Sequence, residues 1–196
     1  VAEVGEGVES FQAGERVAVA HHVSCGACHF CDRGSDSKCA LFRRTNLYPG
    51  GFAEYVRVPP PNVRLATFSI PDGVTFEQAI FVEPLGCCVR AMERSQLRPG
   101  DTVLIVGIGS IGLLFTQLVK LQQAKVVACD LLADRLMLAQ GYGADVVANP
   151  ATDPIKEIVQ EVTTGRSVDL ILSTVASQPV LDQALFLVRD GGTIHF

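Results

Sequence analysis

The chain has 196 residues, 48% of them hydrophobic and 19% charged, with a formal net charge of −5. That balance excludes disorder, which needs low hydrophobicity and high net charge, and it disfavours nucleic acid as a partner, since phosphates call for a basic face. The longest apolar runs, Val103–Val106 and Ile111–Phe115, fall far short of the ~20 residues that span a bilayer, so no membrane partner is expected.

No secretory signal opens the chain. Val1-Ala-Glu-Val-Gly5 reads as a strand already under way, and Gly192-Thr-Ile-His-Phe196 as one just beginning. Both ends read as cuts, and the chain is expected to be a fragment of a longer protein. Residues 1–82 are rich in turn signals, among them Gly5, Gly7, Gly14, Pro49-Gly-Gly51 and Pro59-Pro-Pro61. Short β-type runs lie between them, Arg16–Ala20 and Phe52–Val58, so this region reads as a small irregular β domain. Its excursion over 24–48 is polar and without apolar periodicity, and it needs an internal staple to order itself.

That staple is legible in four cysteines, Cys25, Cys28, Cys31 and Cys39, spaced C-x2-C-x2-C-x7-C. An odd total of seven cysteines without a signal peptide disfavours a disulfide framework and favours metal. A tetrahedral zinc with four thiolates has no open position, which makes the site structural. A ferredoxin-type cluster would close with C-x3-C-P, whereas here the last gap is seven residues and Ala40 follows. A zinc-ribbon nucleic-acid module is the other reading, opposed by the overall acidity and by only Arg33 and Lys38 as basic residues between the cysteines. His29 reads as a bystander, and Cys87, Cys88 and Cys129 read as small buried apolar residues. His21, His22 and His195 show no partner spacing and read as structural.

Glu83 stands in Phe81-Val-Glu-Pro-Leu-Gly86, at the joint between two regions of different character. By its residues alone it is either a helix-start acid before Pro84 or a functional carboxylate in a cleft. From residue 101 the pattern alternates. Thr102–Val106, Lys125–Cys129, Asp145–Ala148, Val168–Ser173 and Gly192–Phe196 read as strands. Helical patterns run from Ile111 to Leu121, over Ala133–Gln140, after Asp153 as N-cap with Pro154 first, and over Pro179–Val188 opened by Ser177. Five strands alternating with four helices make an α/β fold with a parallel sheet and right-handed crossovers.

Gly107-Ile-Gly109-Ser-Ile-Gly112 follows the first of these strands and opens the first helix, the context a dinucleotide-binding turn requires. Gly107 permits the tight turn, Gly109 the approach of a pyrophosphate, and Gly112 close packing of helix on strand. Free N–H groups at the helix start then meet the phosphates. Asp130, 18 residues after Gly112, ends the second strand, where a carboxylate can accept hydrogen bonds from both ribose hydroxyls. Arg135 is either a solvated helix residue or a cation near that ribose, and composition does not decide between them.

Taken together, these pieces resemble the middle of a zinc-containing medium-chain dehydrogenase of the alcohol dehydrogenase superfamily, in the sorbitol and threonine dehydrogenase branch. The matching residues are Val8-x-x-Phe11-x-x-Gly14-x-Arg16-Val17, the lobe Cys25–Cys39, Gly51-Phe-Ala-Glu-Tyr55, Glu83-Pro-Leu-Gly86, and the Gly107–Gly112 turn with Asp130 and Arg135. The resemblance implies a partial GroES-like domain over 1–88, with the zinc lobe at 24–48, and a partial Rossmann domain over 89–196. It implies that Cys25, Cys28, Cys31 and Cys39 bind structural zinc, and that Gly107, Gly109, Ser110, Ile111, Gly112, Asp130 and Arg135 form the NAD site. Glu83 matches the acidic position at a catalytic zinc, bound directly or through water. In the family a catalytic cysteine and a Gly-His-Glu motif precede the strand that begins here as Val1, so the fragment alone is expected to be inactive. The parent is expected to be a cytoplasmic homo-oligomer, dimer or tetramer, passing a hydride from a secondary alcohol (a polyol or hydroxy amino acid) to NAD. A primary-alcohol or formaldehyde dehydrogenase, or a non-catalytic NAD-binding protein on the same fold, are the alternatives.

Overall fold

The computed structural model describes residues 1–196, and the chain divides into two compact units, Val1–Glu83 and Pro84–Phe196. No helix is long and apolar enough to cross a membrane.

The first unit is built on one antiparallel pair, β1 (Val17–Val19) and a later strand Thr67–Ser69, with Ala18 opposite Phe68. The ladder is extended by Ala20 N–H donating to the Ala66 carbonyl at 2.8 Å and Ile70 N–H to the Arg16 carbonyl at 2.8 Å. Between the two strands come α1 (His29–Asp32), a 3₁₀ turn at Asp36–Lys38, and α2 (Pro60–Ala66), which leads straight into the second strand, β2. The proline run suits the start of α2, because the first turn has no use for the missing N–H groups. Asn62 on α2 is fully buried and donates to the Ala20 and His21 carbonyls at 2.9 and 3.1 Å, tying the helix to the end of β1. A short α3 (Phe76–Ala79) begins with a reciprocal cap between Thr75 and Gln78.

The run 52–58, expected as a strand, is not one. Its backbone pairing is a single bridge in which Tyr48 and Arg57 exchange N–H···O bonds of 3.1 and 2.7 Å. Phe52 is fully solvent-exposed. β-type residues make a strand only where a neighbouring strand and a buried face receive them, and this segment has neither.

The second unit opens on α4 (Val82–Ser95), whose first two residues belong to the chain's first unit. Then β3 (Thr102–Val106), α5 (Ser110–Leu121), β4 (Lys125–Cys129), α6 (Ala133–Gly141), β5 (Val146–Ala148), α7 (Ile155–Val162), β6 (Val168–Ser173), α8 (Gln178–Leu187) and β7 (Val188–His195) follow. The five strands form one parallel sheet in the order β5-β4-β3-β6-β7. Alternation along the strands sorts the core into two layers. Val103, Ile105, Val126, Ala128, Leu170 and Leu172 meet Met92, Phe115, Val119 and Ala139 from α4, α5 and α6. Leu104, Val127, Cys129, Val168 and Ile171 meet Ile155, Val159, Ala184 and Leu187 from α7 and α8.

Val1–Gly5, expected as a strand, is irregular, and several element ends shift by a residue from the sequence reading; two differences have a clear cause. Asp153 does not cap α7: Pro154 holds that position, and the Asp153 carboxylate accepts the Asn149 N–H at 2.7 Å in the preceding turn. β7 begins at Val188 and not at Gly192, because Val188 already pairs with Val168 before a register shift resumes at Leu170 and Thr193. Cys88 and Cys129 are buried as expected, but Cys87 is exposed on α4.

Candidate functional site

In the first unit the four cysteines converge. Cys28 is the N-cap of α1, Cys31 lies within it, and Cys39 follows the 3₁₀ turn. Gly26, with φ +71°, and Gly34, with φ +61°, turn the chain on either side of α1 in the left-handed region that favours glycine. The Sγ atoms all lie within 4.8 Å of one another, with Cys28 and Cys31 3.5 Å apart and Cys25 and Cys31 3.9 Å apart. None is in a disulfide. Four sulfurs arranged tetrahedrally about zinc at ~2.3 Å stand about 3.8 Å apart, so this set could hold one such ion. The spacing leaves room for a single atom and not for a multi-iron cluster. His29 is outside the group and packs edge-on to Phe30.

The thiols are not equivalent. Backbone N–H groups of Phe42 and Cys25 pull Cys39 down to about 6, and the Cys25 N–H lies 3.4 Å from its Sγ. Burial, then the Cys28 thiol, push Cys31 up to about 11. Thiolates brought this close repel one another, and a cation among them would offset that repulsion. Around the cluster, Val23, Cys39 and Thr45 are the buried residues of the lobe. The Thr45 hydroxyl accepts the Val23 N–H at 3.0 Å and donates to the Leu41 carbonyl at 3.1 Å, closing the loop across its base.

In the second unit the glycine turn leaves β3 and enters α5. Gly107 has φ +89°, and a Cβ there would lie 2.4 Å from Thr174 Oγ1 and 2.6 Å from Val175 Cγ2. A Cβ at Gly112 would lie 2.1 Å from the Gly107 carbonyl oxygen. At Gly109, the N-cap of α5, a Cβ would meet nothing within 4 Å. No side chain caps this helix, so its first N–H groups, from Ser110 to Gly112, face the space beside Gly109. Ile111 is partly buried, its side chain against the core.

Asp130 directly follows β4, with its carboxylate almost wholly buried. It accepts the Ile108 N–H at 2.7 Å on one oxygen and the Leu132 N–H at 2.9 Å on the other. Arg135, half-exposed near the start of α6, approaches to 3.4 Å. Burial pushes the Asp130 carboxyl up, but the N–H groups of Leu132 and Ile108 and the Arg135 guanidinium outweigh it and hold the group below the usual carboxylate value. An ionised carboxylate has about four acceptor sites; the two N–H groups and Arg135 take three, so one is left, and a second ligand hydroxyl would take the place of Arg135.

Thr174 and Val175, missed by the sequence reading, complete the turn. They follow β6, the strand paired with β3 on the side away from β4. The signal was their place at the carboxyl end of the strand beside the topological switch point, where ligands of open α/β sheets bind. Glu83 lies in the first turn of α4, exposed, and the thiol cluster is the group of metal-ligating side chains that converges.

A four-thiol lobe on an irregular β unit and a parallel sheet with a glycine turn, joined in one chain, define a two-unit α/β class of protein. Residues 1–72 match the family model described as alcohol dehydrogenase GroES-like domain, and residues 110–196 that described as zinc-binding dehydrogenase. Sorbitol dehydrogenase of Bacillus subtilis is 33% identical over 197 residues, covering 99% of this chain and 55% of that protein. L-threonine 3-dehydrogenase of Pyrococcus abyssi is 36% identical over 199 residues, with coverage of 99% and 55%. A zinc-binding dehydrogenase of Sinorhizobium meliloti solved with NADP superposes with a TM-score of 0.84 at 32% identity, covering 99% of this chain and 57% of that one. The chain belongs to the zinc-containing alcohol dehydrogenase family and spans a little over half the length of the relatives it matches.

Proposed function

We propose that the whole protein is a zinc-dependent oxidoreductase that passes a hydride from a secondary alcohol, a polyol or hydroxy amino acid, to NAD. The Asp130 carboxylate, ionised and buried beside the glycine turn, carries this reading. In the proposed assignment the N–H groups of Gly109, Ser110, Ile111 and Gly112 receive the pyrophosphate, and Asp130 accepts the adenosine ribose hydroxyls. Arg135 flanks that ribose. Cys25, Cys28, Cys31 and Cys39 hold a structural zinc whose role is to order the lobe. Glu83 is assigned to the neighbourhood of a catalytic zinc by its family position. Such an ion supplies Lewis acidity to an alcohol oxygen, and the nicotinamide supplies the hydride chemistry. This chain's own residues bind and orient the cofactor. The proposed partners are a small-molecule alcohol and a further copy of the chain, in the cytoplasm.

The choice of NAD over NADP follows from charge. NADP carries a phosphate on the 2′ oxygen, which would face the Asp130 carboxylate, and Arg135 is already drawn to that carboxylate. Steady-state kinetics on the full-length protein should favour NAD by roughly tenfold or more in kcat/KM, about 1.4 kcal/mol. Asp130→Ser should shrink the preference. Equal efficiency with both cofactors, as the NADP in the Sinorhizobium relative makes worth testing, would remove Asp130 from the ribose. Glu83→Ala in the same protein should lower turnover while leaving its melting temperature nearly unchanged. Intact turnover would reduce Glu83 to a helix-start residue.

A further inference from the structure

One peptide unit, Gly107–Ile108, is gripped at both ends. Its N–H donates to Asp130 Oδ2 at 2.7 Å, and its carbonyl accepts the Thr174 hydroxyl at 2.9 Å. The same hydroxyl lies 3.2 Å from the Val106 carbonyl, which also accepts the Thr174 N–H at 2.9 Å. The carbonyl and N–H of a trans peptide point in opposite directions, so these two contacts fix its plane between the ends of β4 and β6. The flanking Gly107 N–H is held as well, by the Cys129 carbonyl at 2.8 Å.

This peptide lies at the head of the glycine turn. A flip would withdraw the N–H from Asp130 and reverse a carbonyl dipole just ahead of the α5 N-terminus, where an anion is otherwise favoured. Glycine at 107 leaves the backbone free to make that flip, since it lacks the Cβ that narrows the choice of φ and ψ. A constraint from outside the turn is therefore needed, and β6 supplies it.

Building on the dinucleotide reading given under Proposed function, we propose that Thr174 is a positioning residue for cofactor binding: its hydroxyl holds the Gly107–Ile108 peptide in the orientation that serves the phosphate turn and the Asp130 carboxylate together. Thr174 acts through the backbone of the turn and needs no contact with the ligand.

The test compares Thr174→Val, which keeps the shape and loses the hydroxyl, with Thr174→Ser, which keeps the hydroxyl and loses the methyl. Both are made in the full-length protein. Amide hydrogen exchange over residues 106–112 without ligand, and titration with NADH followed by its fluorescence, are the two readouts. Losing one hydrogen bond corresponds to roughly fivefold in an equilibrium constant. Thr174→Val should therefore exchange about fivefold faster at Ile108 and bind NADH about fivefold more weakly. Thr174→Ser should match the wild type in both. A packing role predicts the opposite pattern, with Val tolerated and Ser impaired, and that result overturns the proposal. So does faster exchange with unchanged NADH affinity. Should Thr174→Val fail to fold, Thr174→Ala gives the same two readouts. Wild-type protein that binds neither NADH nor NADPH would overturn the dinucleotide reading itself, a result visible before any variant is made.

Discussion

In the first unit the buried apolar residues are Val23, Cys39 and Ala66, whereas the second packs two full layers against both faces of its sheet. Each solves the same problem, ordering a chain against its conformational entropy, with different material. The sheet draws on burial spread over many side chains, so its order is distributed. The lobe over 24–48 draws on four sulfurs held within 4.8 Å and a few backbone turns, so its order is concentrated. Concentrated order should fail at single points, and distributed order should yield by degrees.

The sharpest break should come at the cysteines. Cys28→Ser, or removal of the lobe's metal by a chelator, should release one zinc per chain and open residues 24–48 to protease, because metal binding and local folding are linked. The sheet should stay protected. Unchanged zinc in the variant would sink the thiolate assignment. Next in size, Leu104→Ala deletes a fully buried side chain from the middle of the sheet. It should cost about 2–5 kcal/mol by denaturant unfolding while zinc content stays constant. Loss of zinc together with the sheet would mean that the two units do not unfold separately.

Gly112→Ala is a smaller but more local change. Its Cβ would sit 2.1 Å from the Gly107 carbonyl oxygen, a backbone atom that cannot swing aside. A cost of about 1–3 kcal/mol is expected, with loss of NADH binding. Gly109→Ala, whose Cβ meets nothing, should leave stability near wild type and still weaken binding. Equal stability losses at the two glycines would contradict the packing described here.

The smallest effect is with pH. Burial pushes Asp169 up, but Arg189, whose Nε donates at 2.6 Å, and the Thr102 N–H at 2.8 Å hold it below the usual carboxylate value. The unfolded chain, with Asp near pH 3.9, then binds more protons than the folded one across this window. The stability that Asp169 contributes is present above about pH 4 and lost as pH falls through the lower folded value. Asp169→Asn should flatten that part of the curve for the sheet unit and leave the lobe's zinc release unchanged. An identical acid profile in wild type and variant would refute the coupling.

Much of the second unit could be read from the chain itself. Thr102–Val106, Lys125–Cys129 and Val168–Ser173 are strands with the same limits in sequence and structure. Runs that are apolar almost throughout leave a buried parallel strand little choice of partner layer. The cysteine spacing likewise announced a cluster. What could not be read were features that depend on a distant neighbour. Phe52–Val58 has strand-type residues but lacks a second strand to pair with, and Asp153 found the Asn149 N–H in place of the helix start.

The chain's own order of residues determined the alternation of strand and helix, the four-thiol chelate and the glycine turn, because each rests on local spacing and on which residue types tolerate it. Tertiary structure alone decided the strand order β5-β4-β3-β6-β7, which sets Thr174 against Gly107 across 67 positions of sequence. It also decided that Asp130 reaches back to the Ile108 N–H while Arg135 leans on it. Hydrogen-bond partners far apart in sequence are chosen by the sheet that brings them together, and that choice leaves no periodicity for the sequence to display.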